Sequence, residues 1–175
     1  METQTIHEGR ANDPAAPLTL DQLVDLDTGA LEALYRTARV PRLSSVRGDL
    51  FGRMLAVPRL GSSLPGWLRA FVRSSSFPWR GKSFAPHGEE RGEGINRVLG
   101  DRFRWYRFTT FIGRSRAGAF DALQLDYDHA DNPFFIRAIE DEIRELRPGL
   151  WLGQAWLRVR GKSRLALWFA LGERQ

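Results

Sequence analysis

Cysteine is absent from the 175 residues, which excludes disulfides, thiolate metal ligands and a cysteine nucleophile. Long apolar runs are absent as well. The longest, Leu165–Leu171, has seven residues, whereas a helix needs ~20 to cross a bilayer. The first twenty residues also lack the apolar segment of a secretion signal. We therefore expect a soluble, cytoplasmic protein with no membrane span.

Lysine is scarce, since only Lys82 and Lys162 occur among 26 basic residues. The basic residues concentrate in residues 36–116, where 17 Arg and Lys stand against five acids. Arginine binds carboxylate and phosphate groups through two parallel hydrogen bonds. A GC-rich genome produces the same arginine excess, so the net charge of +5 does not select a partner by itself.

The composition is that of a packed globular protein, with 42% apolar and 27% charged residues. A chain of this length fits one domain that buries most of its apolar surface. We expect residues 1–18 to form a disordered tail and residues 19–175 to form a single domain. No internal repeat or low-complexity segment suggests a further division.

Three helices are predicted from capping residues and apolar spacing. The first two are short: one is capped by Thr19 or Asp21 and runs through Leu26, and the other is capped by Asp27 or Thr28 and runs through Ala38. The third runs over Asn132–Arg147, where Asn132 is the expected N-cap and Pro133 the first helical residue. The isoleucines at 136, 139 and 143 give this segment an apolar stripe at helical spacing.

The remaining pattern predicts strands joined by short turns, which favours consecutive antiparallel pairing. The polar, glycine-rich stretch Pro86–Gly94 is interpreted as a surface loop. The fold class predicted is α+β: an antiparallel β-barrel or strongly curled sheet with N-terminal helices and one helix before the last two strands. The predicted strands are Val46–Val57, Trp79–Phe84, Ile95–Leu99, Phe103–Ile112, Ala117–Tyr127, Leu150–Val159 and Leu165–Leu171.

Asp126, Asp128, His129 and Asp131 fall within one turn and offer the richest set of metal ligands. A calcium loop would have glycine and a bidentate glutamate at the positions where this chain has Asp131 and Arg137. We expect a strand end followed by an Asx turn, with no metal and no cofactor. Catalytic residues are not identified, because no phosphate-binding glycine loop is present and no histidine has triad-like spacing to a serine or acid.

The segment Arg102–Phe108 alternates arginine with aromatic residues, as single-stranded nucleic-acid platforms do. An ordinary antiparallel strand with its arginines in water has the same pattern, and we favour it over nucleic-acid binding. The alternation breaks at Tyr106–Arg107, which predicts a β-bulge there.

One motif resembles a known family. Trp79, Gly81, Lys82 and Phe84 form Trp-x-Gly-Lys-x-Phe, which is similar to the strand motif of the GXWXG-type, calycin-like small bacterial barrel proteins. Gly52 stands where that family has the first glycine of its signature. The resemblance implies a lipocalin-like or fatty-acid-binding-protein-like barrel whose interior holds one small apolar ligand.

The function predicted is a cavity-type binding protein for a small hydrophobic or amphipathic ligand, which we expect to be anionic. The alternative is a cofactor-independent cyclase, isomerase or hydrolase of specialised metabolism acting in the same cavity. The sequence does not predict an oligomeric state. The candidate ligand-binding residues are Trp79, Lys82, Arg97, Arg104, Trp105, Arg107, Phe111, Trp156 and Trp168.

Overall fold

The computed structural model describes residues 18–55, 79–99 and 102–173. Within these ranges eight antiparallel strands pair in chain order, and β8 returns to β1 to close a barrel. The barrel expected from the sequence is thereby confirmed. Nearly all of the predicted tail, residues 1–18, lies outside the described residues. The strands are β1 (Gly48–Met54), β2 (Trp79–His87), β3 (Arg91–Val98), β4 (Phe103–Arg114), β5 (Asp121–Asp126), β6 (Ile139–Arg147), β7 (Leu150–Val159) and β8 (Lys162–Gly172).

From residue 18 onward, one α-helix, α1 (Thr28–Thr37), precedes the barrel and confirms the second predicted helix. The Asp27 side chain accepts a hydrogen bond from the backbone N–H of Ala30 at 2.8 Å, as an N-cap does. Two 3-10 turns flank α1, at Gln22–Asp25 and Leu43–Ser45. No helix among the described residues is long and apolar enough to span a membrane.

Apolar residues pack in two layers, one inside the barrel and one outside it. The interior core contains Phe84, Phe108, Ile143 and Trp151, and Leu43 of the second 3-10 turn packs against it. The outer layer lies between α1 and the last two strands. Its members include the buried residues Leu31, Tyr35, Leu150, Leu152 and Trp168.

The helix predicted over Asn132–Arg147 is wrong, because Ile139–Arg147 is strand β6. Only a single turn follows Pro133, whose carbonyl accepts the backbone N–H groups of residues 136 and 137. The isoleucines also fit a period of two, since Ile139 and Ile143 pack in the interior core. Strand β6 pairs with both β5 and β7. A helix here would leave both of those strands with an unpaired edge.

Two smaller predictions are also corrected. The stretch Pro86–Gly94 is mostly strand, because β2 and β3 extend toward each other and leave only residues 88–90 as the turn. Strand β5 begins at Asp121, so the first residues of the predicted strand Ala117–Tyr127 belong to the β4–β5 connection. The bulge expected near Tyr106 is confirmed by a register shift between β3 and β4 and by φ 63° at Tyr106.

Candidate functional site

A cavity of about 100 Å³ lies inside the barrel near the end of β1 and the start of β2. Its walls are mainly apolar, and Met54 at its edge is partly exposed. Four polar side chains that line it are buried: Lys82, Asn96, Tyr127 and Asp141. The other lining residues are Met54, Trp79, Tyr106, Ile136, Ile139, Ala155, Leu167 and Phe169.

Lys82 is the centre of this polar group. Its Nζ donates hydrogen bonds to Asn96 Oδ1 at 2.8 Å, Tyr127 Oη at 2.5 Å and Asp141 Oδ2 at 2.9 Å. An ammonium group has three protons to donate, so these three acceptors satisfy it completely. The Lys82 and Asp141 side chains are 4% and 6% exposed, which makes them a buried ion pair.

The neighbouring polar atoms fix this arrangement. Asn96 Oδ1 also accepts from Trp79 Nε1 at 3.1 Å, and Asn96 Nδ2 donates to Tyr127 Oη at 3.1 Å. Tyr127 in turn donates to Asp141 Oδ2 at 3.0 Å. Asp141 Oδ1 is the exception, because it is buried and accepts no hydrogen bond; of four such side-chain atoms among the described residues, it alone belongs to a residue that lines the cavity. Buried polar atoms in native proteins are nearly always paired, so this oxygen calls for an explanation.

Aromatic rings surround the Lys82 ammonium. Nζ lies 5.4 Å from the ring centroid of Trp79, 5.3 Å from Phe108, 5.2 Å from Tyr127 and 5.3 Å from Phe169. The negative faces of such rings attract a cation within about 6 Å. We call these four rings the aromatic cage.

Glycines on the strands make room for three rings of the cage. A Cβ atom on Gly52 would lie 2.4 Å from the Trp79 ring, and one on Gly153 would lie 2.3 Å from the Phe169 ring. Phe108 lies against Gly94 in the same way, also at 2.3 Å. Each ring therefore occupies the space that a side chain on the glycine would fill, which holds the rings close to Lys82.

Burial changes the protonation chemistry of the polar group. Removal from water lowers the pKa of Lys82, although Asp141 opposes this shift by its charge and its hydrogen bond. Burial also raises the pKa of Tyr127, and the charge of Asp141 adds to that effect. Tyr127 therefore stays a neutral donor, while Lys82 loses its proton more readily than a lysine in water.

A second buried carboxylate, Glu142, lies on the outer face of the barrel under α1. Its two oxygens accept hydrogen bonds from Tyr35 Oη at 3.1 Å, Ser115 Oγ at 2.7 Å and the Arg116 backbone N–H at 3.0 Å. The Arg116 guanidinium and Gln124 Nε2 complete the set at 3.4 Å each. This carboxylate is fully paired and joins the helix and the β4–β5 connection to the sheet.

Two of the nine predicted site residues, Trp79 and Lys82, line the cavity. Arg104 lies outside it, where it pairs with Asp49 at 3.5 Å. Arg97 is buried against the carbonyl of Leu50 and the ring of Phe51. Trp105, Arg107 and Phe111 are exposed, Trp156 is half-buried, and Trp168 packs under α1. These seven residues do not line the cavity.

Sequence reasoning missed Asn96, Tyr127 and Asp141. Asp141 was hidden by the helix predicted over Asn132–Arg147, because it lies outside the apolar stripe of that helix. Tyr127 follows the last residue of β5 and lies among the acids of the turn, whose pattern indicates possible metal ligands and gives no role to the tyrosine. The available signal was Lys82 itself, one of two lysines in an arginine-rich chain and set within an aromatic strand motif.

The acidic turn after β5 pairs internally. Asp126 Oδ1 accepts the backbone N–H of Asp128 at 2.9 Å, which is the Asx turn that the sequence predicts. Asp128 pairs with Arg137 at 2.6 Å, and His129 Nε2 lies 2.9 Å from Thr109 Oγ1. In the part of the chain that the structure describes, no cluster of three or more His, Cys, Asp or Glu is arranged to hold a metal ion.

Comparison with known proteins supports the fold alone. No family model and no curated protein matches the chain. The crystal structure of a protein from Thermomonospora curvata is similar, with a TM-score of 0.54 and 17% sequence identity over 86% of this chain and 89% of that one. At this identity the similarity extends to the barrel architecture. The resemblance to GXWXG-type, calycin-like proteins stays a prediction.

Proposed function

We propose that this chain is a binding protein whose barrel cavity holds one small, mostly apolar molecule with a single polar group. The observation that carries the proposal is the buried Lys82–Asp141 ion pair in the wall of a mainly apolar cavity. Pockets for small molecules combine apolar walls with a few polar groups that orient the ligand, and this cavity has both.

The energetic cost of the ion pair supports a role in binding. Desolvating two charges costs several kcal/mol each, and well-packed apolar residues often stabilise a core as well or better. A pair needed only for folding would also have all its polar atoms satisfied, as Glu142 does. Asp141 Oδ1 instead has no donor, although Asp141 lines the cavity.

The size and charge of the cavity define the ligand class. A closed apolar cavity of roughly 150 Å³ accommodates benzene; this cavity, at about 100 Å³, is smaller, and its partly exposed edge lets a single ring or a short chain extend beyond it. Lys82 and Asp141 cancel each other's charge, and Arg97, Arg104 and Arg107 lie away from the cavity. We therefore favour an uncharged ligand with one small polar group over the anionic ligand that the arginines suggested.

The proposal is tested with three one-ring probes: benzyl alcohol, toluene and benzoate. We expect benzyl alcohol to bind saturably at one site per chain and to raise the melting temperature by mass action. Toluene should bind more weakly, because it leaves the polar group without a partner. Benzoate should bind most weakly, because its negative charge would lose its water beside an ion pair that is already neutral as a whole.

Two matched variants locate the site. Ala155→Leu fills the cavity with extra methyl groups and should abolish binding of benzyl alcohol, measured by calorimetry. Ala85→Leu adds the same atoms at an exposed position of β2 and should leave binding unchanged. Equal loss in both variants, or binding that survives Ala155→Leu, would rule out the cavity as the site. Tighter binding of benzoate than of benzyl alcohol would show that the site prefers an anionic ligand.

A further inference from the structure

The cavity contains one primary amine. Lys82 and Lys162 are the only lysines of the chain, and Lys162 is exposed at the start of β8. Lys82 Nζ lies in the cavity wall, within the aromatic cage and within hydrogen-bond distance of Asp141 and Tyr127. Burial lowers the pKa of Lys82, which raises the fraction of free amine near neutral pH. A desolvated lysine of this kind is nucleophilic toward carbonyl groups.

We propose that Lys82 binds an aldehyde or ketone covalently, as an imine formed between Nζ and the carbonyl carbon. The inference rests on the proposed binding function and narrows its ligand to a small, mostly apolar carbonyl compound. A carbonyl group fits the site because it is uncharged and brings its reactive carbon to the one cavity atom able to attack it.

The reaction balances with the groups present. The Lys82 ammonium transfers one proton to Asp141, whose Oδ2 lies 2.9 Å from Nζ. The electron pair of Nζ then attacks the carbonyl carbon and forms the C–N bond. The carbonyl oxygen takes one proton from the attacking nitrogen and a second from Asp141, and it leaves as water when the C–O bond breaks. One ammonium and one carbonyl compound give one protonated imine and one water, with no change of oxidation state.

The site can hold the charge of the product, although the imine nitrogen keeps one N–H where the ammonium donates three hydrogen bonds. The protonated imine keeps one N–H and one positive charge, and Asp141 has regained its negative charge beside it. The aromatic cage attracts the imine cation as it attracts the ammonium. Tyr127, held as a neutral donor, maintains its hydrogen bond to Asp141 throughout.

The experiment traps the imine with benzaldehyde and sodium cyanoborohydride, which reduces it to a stable benzylamine. Digestion and mass spectrometry then quantify benzylation at Lys82, at Lys162 and at the α-amino group. We expect Lys82 to react at least about tenfold faster than Lys162, although it is the buried one. Benzyl alcohol should slow the labelling of Lys82 and leave that of Lys162 unchanged. In urea the two lysines should react equally.

The controls separate this inference from the binding function. Lys162→Arg removes the exposed lysine and should leave labelling of Lys82 unchanged, while Lys82→Arg keeps the positive charge and should remove the fast-labelled site. Labelling of Lys82 slower than or equal to that of Lys162, with benzyl alcohol still binding in the cavity, would overturn the imine and retain the binding protein. Failure of both labelling and benzyl alcohol binding would overturn both proposals.

Discussion

Asp141 and Glu142 are neighbours on β6 and both are buried, yet they face opposite sides of the barrel wall. Glu142 faces out, where five hydrogen bonds from α1, β5 and the β4–β5 connection satisfy both of its oxygens. Asp141 faces in, where one oxygen accepts from Lys82 and Tyr127 and the other accepts nothing. A buried carboxylate that is fully paired holds elements together, whereas one left partly unpaired beside a cavity has capacity to bind.

The largest effect is expected at the outer carboxylate. Glu142→Gln places an NH2 group against donors and removes the charge that pairs with Arg116, so we expect a loss of about 4 kcal/mol in the free energy of unfolding. Urea denaturation followed by circular dichroism measures it. Glu32→Gln breaks only the exposed pair with Arg36 and should cost less than about 0.5 kcal/mol. Similar losses in the two variants would contradict the structural role of Glu142.

The inner pair, Lys82 and Asp141, should behave differently, because replacing both residues should cost less stability than replacing Lys82 alone. Lys82→Met leaves Asp141 charged and unpaired and should cost about 3 kcal/mol. Adding Asp141→Asn removes that charge and should return the stability to within about 1 kcal/mol of the parent. The double variant should also lose the preference for benzyl alcohol over toluene, measured by calorimetry. A double variant less stable than Lys82→Met would show that the pair serves folding.

The smallest effect concerns the packing of the aromatic cage. Gly153→Ala places a Cβ 2.3 Å from the Phe169 ring, which must move, so we expect a loss of about 2 kcal/mol and weaker binding of benzyl alcohol. Gly29→Ala lies in α1 and meets only a side-chain oxygen of Asp27 at 3.3 Å. That oxygen caps the helix and must shift slightly, which offsets the higher helix propensity of alanine, so this control should change stability by less than about 1 kcal/mol. Unchanged binding of benzyl alcohol in Gly153→Ala would show that the aromatic cage does not contribute to the binding site.

The sequence was sufficient for local features and for the antiparallel order of the strands, and the family resemblance favoured a barrel, with a strongly curled sheet as the alternative. Asp27 is an N-cap followed by apolar residues at helical spacing, and the closely spaced turns between later strands require antiparallel neighbours. β6 was misread because isoleucines at 136, 139 and 143 fit a helix. Ile139 and Ile143 also fit the period of a strand. The strand is decided by β5 and β7, each of which needs a neighbouring strand to complete its hydrogen bonds.

The site was less predictable, because it depends on strand register. Lys82 faces the barrel interior, where it meets Tyr127 and Asp141. These residues lie 45 and 59 positions later in the chain. The bulge at Tyr106 was expected from the sequence. The direction in which Arg104 and Arg107 point depends on how β4 pairs with β3 on either side of that bulge, and this pairing is not visible in the sequence. Sequence spacing therefore did not indicate that Arg97, Arg104 and Arg107 lie away from the cavity, and it left Asp141 unrecognised.

The most direct test of the account observes the amine itself. Labelling lysine side chains with 15N gives two Nζ resonances, because the chain has only Lys82 and Lys162. We predict that benzyl alcohol shifts the Lys82 resonance saturably and leaves Lys162 unchanged, and that Lys82 titrates with a pKa below the ordinary lysine value of 10.5. A Lys82 resonance that stays unchanged while benzyl alcohol saturates the protein would contradict the assignment of the cavity as the binding site.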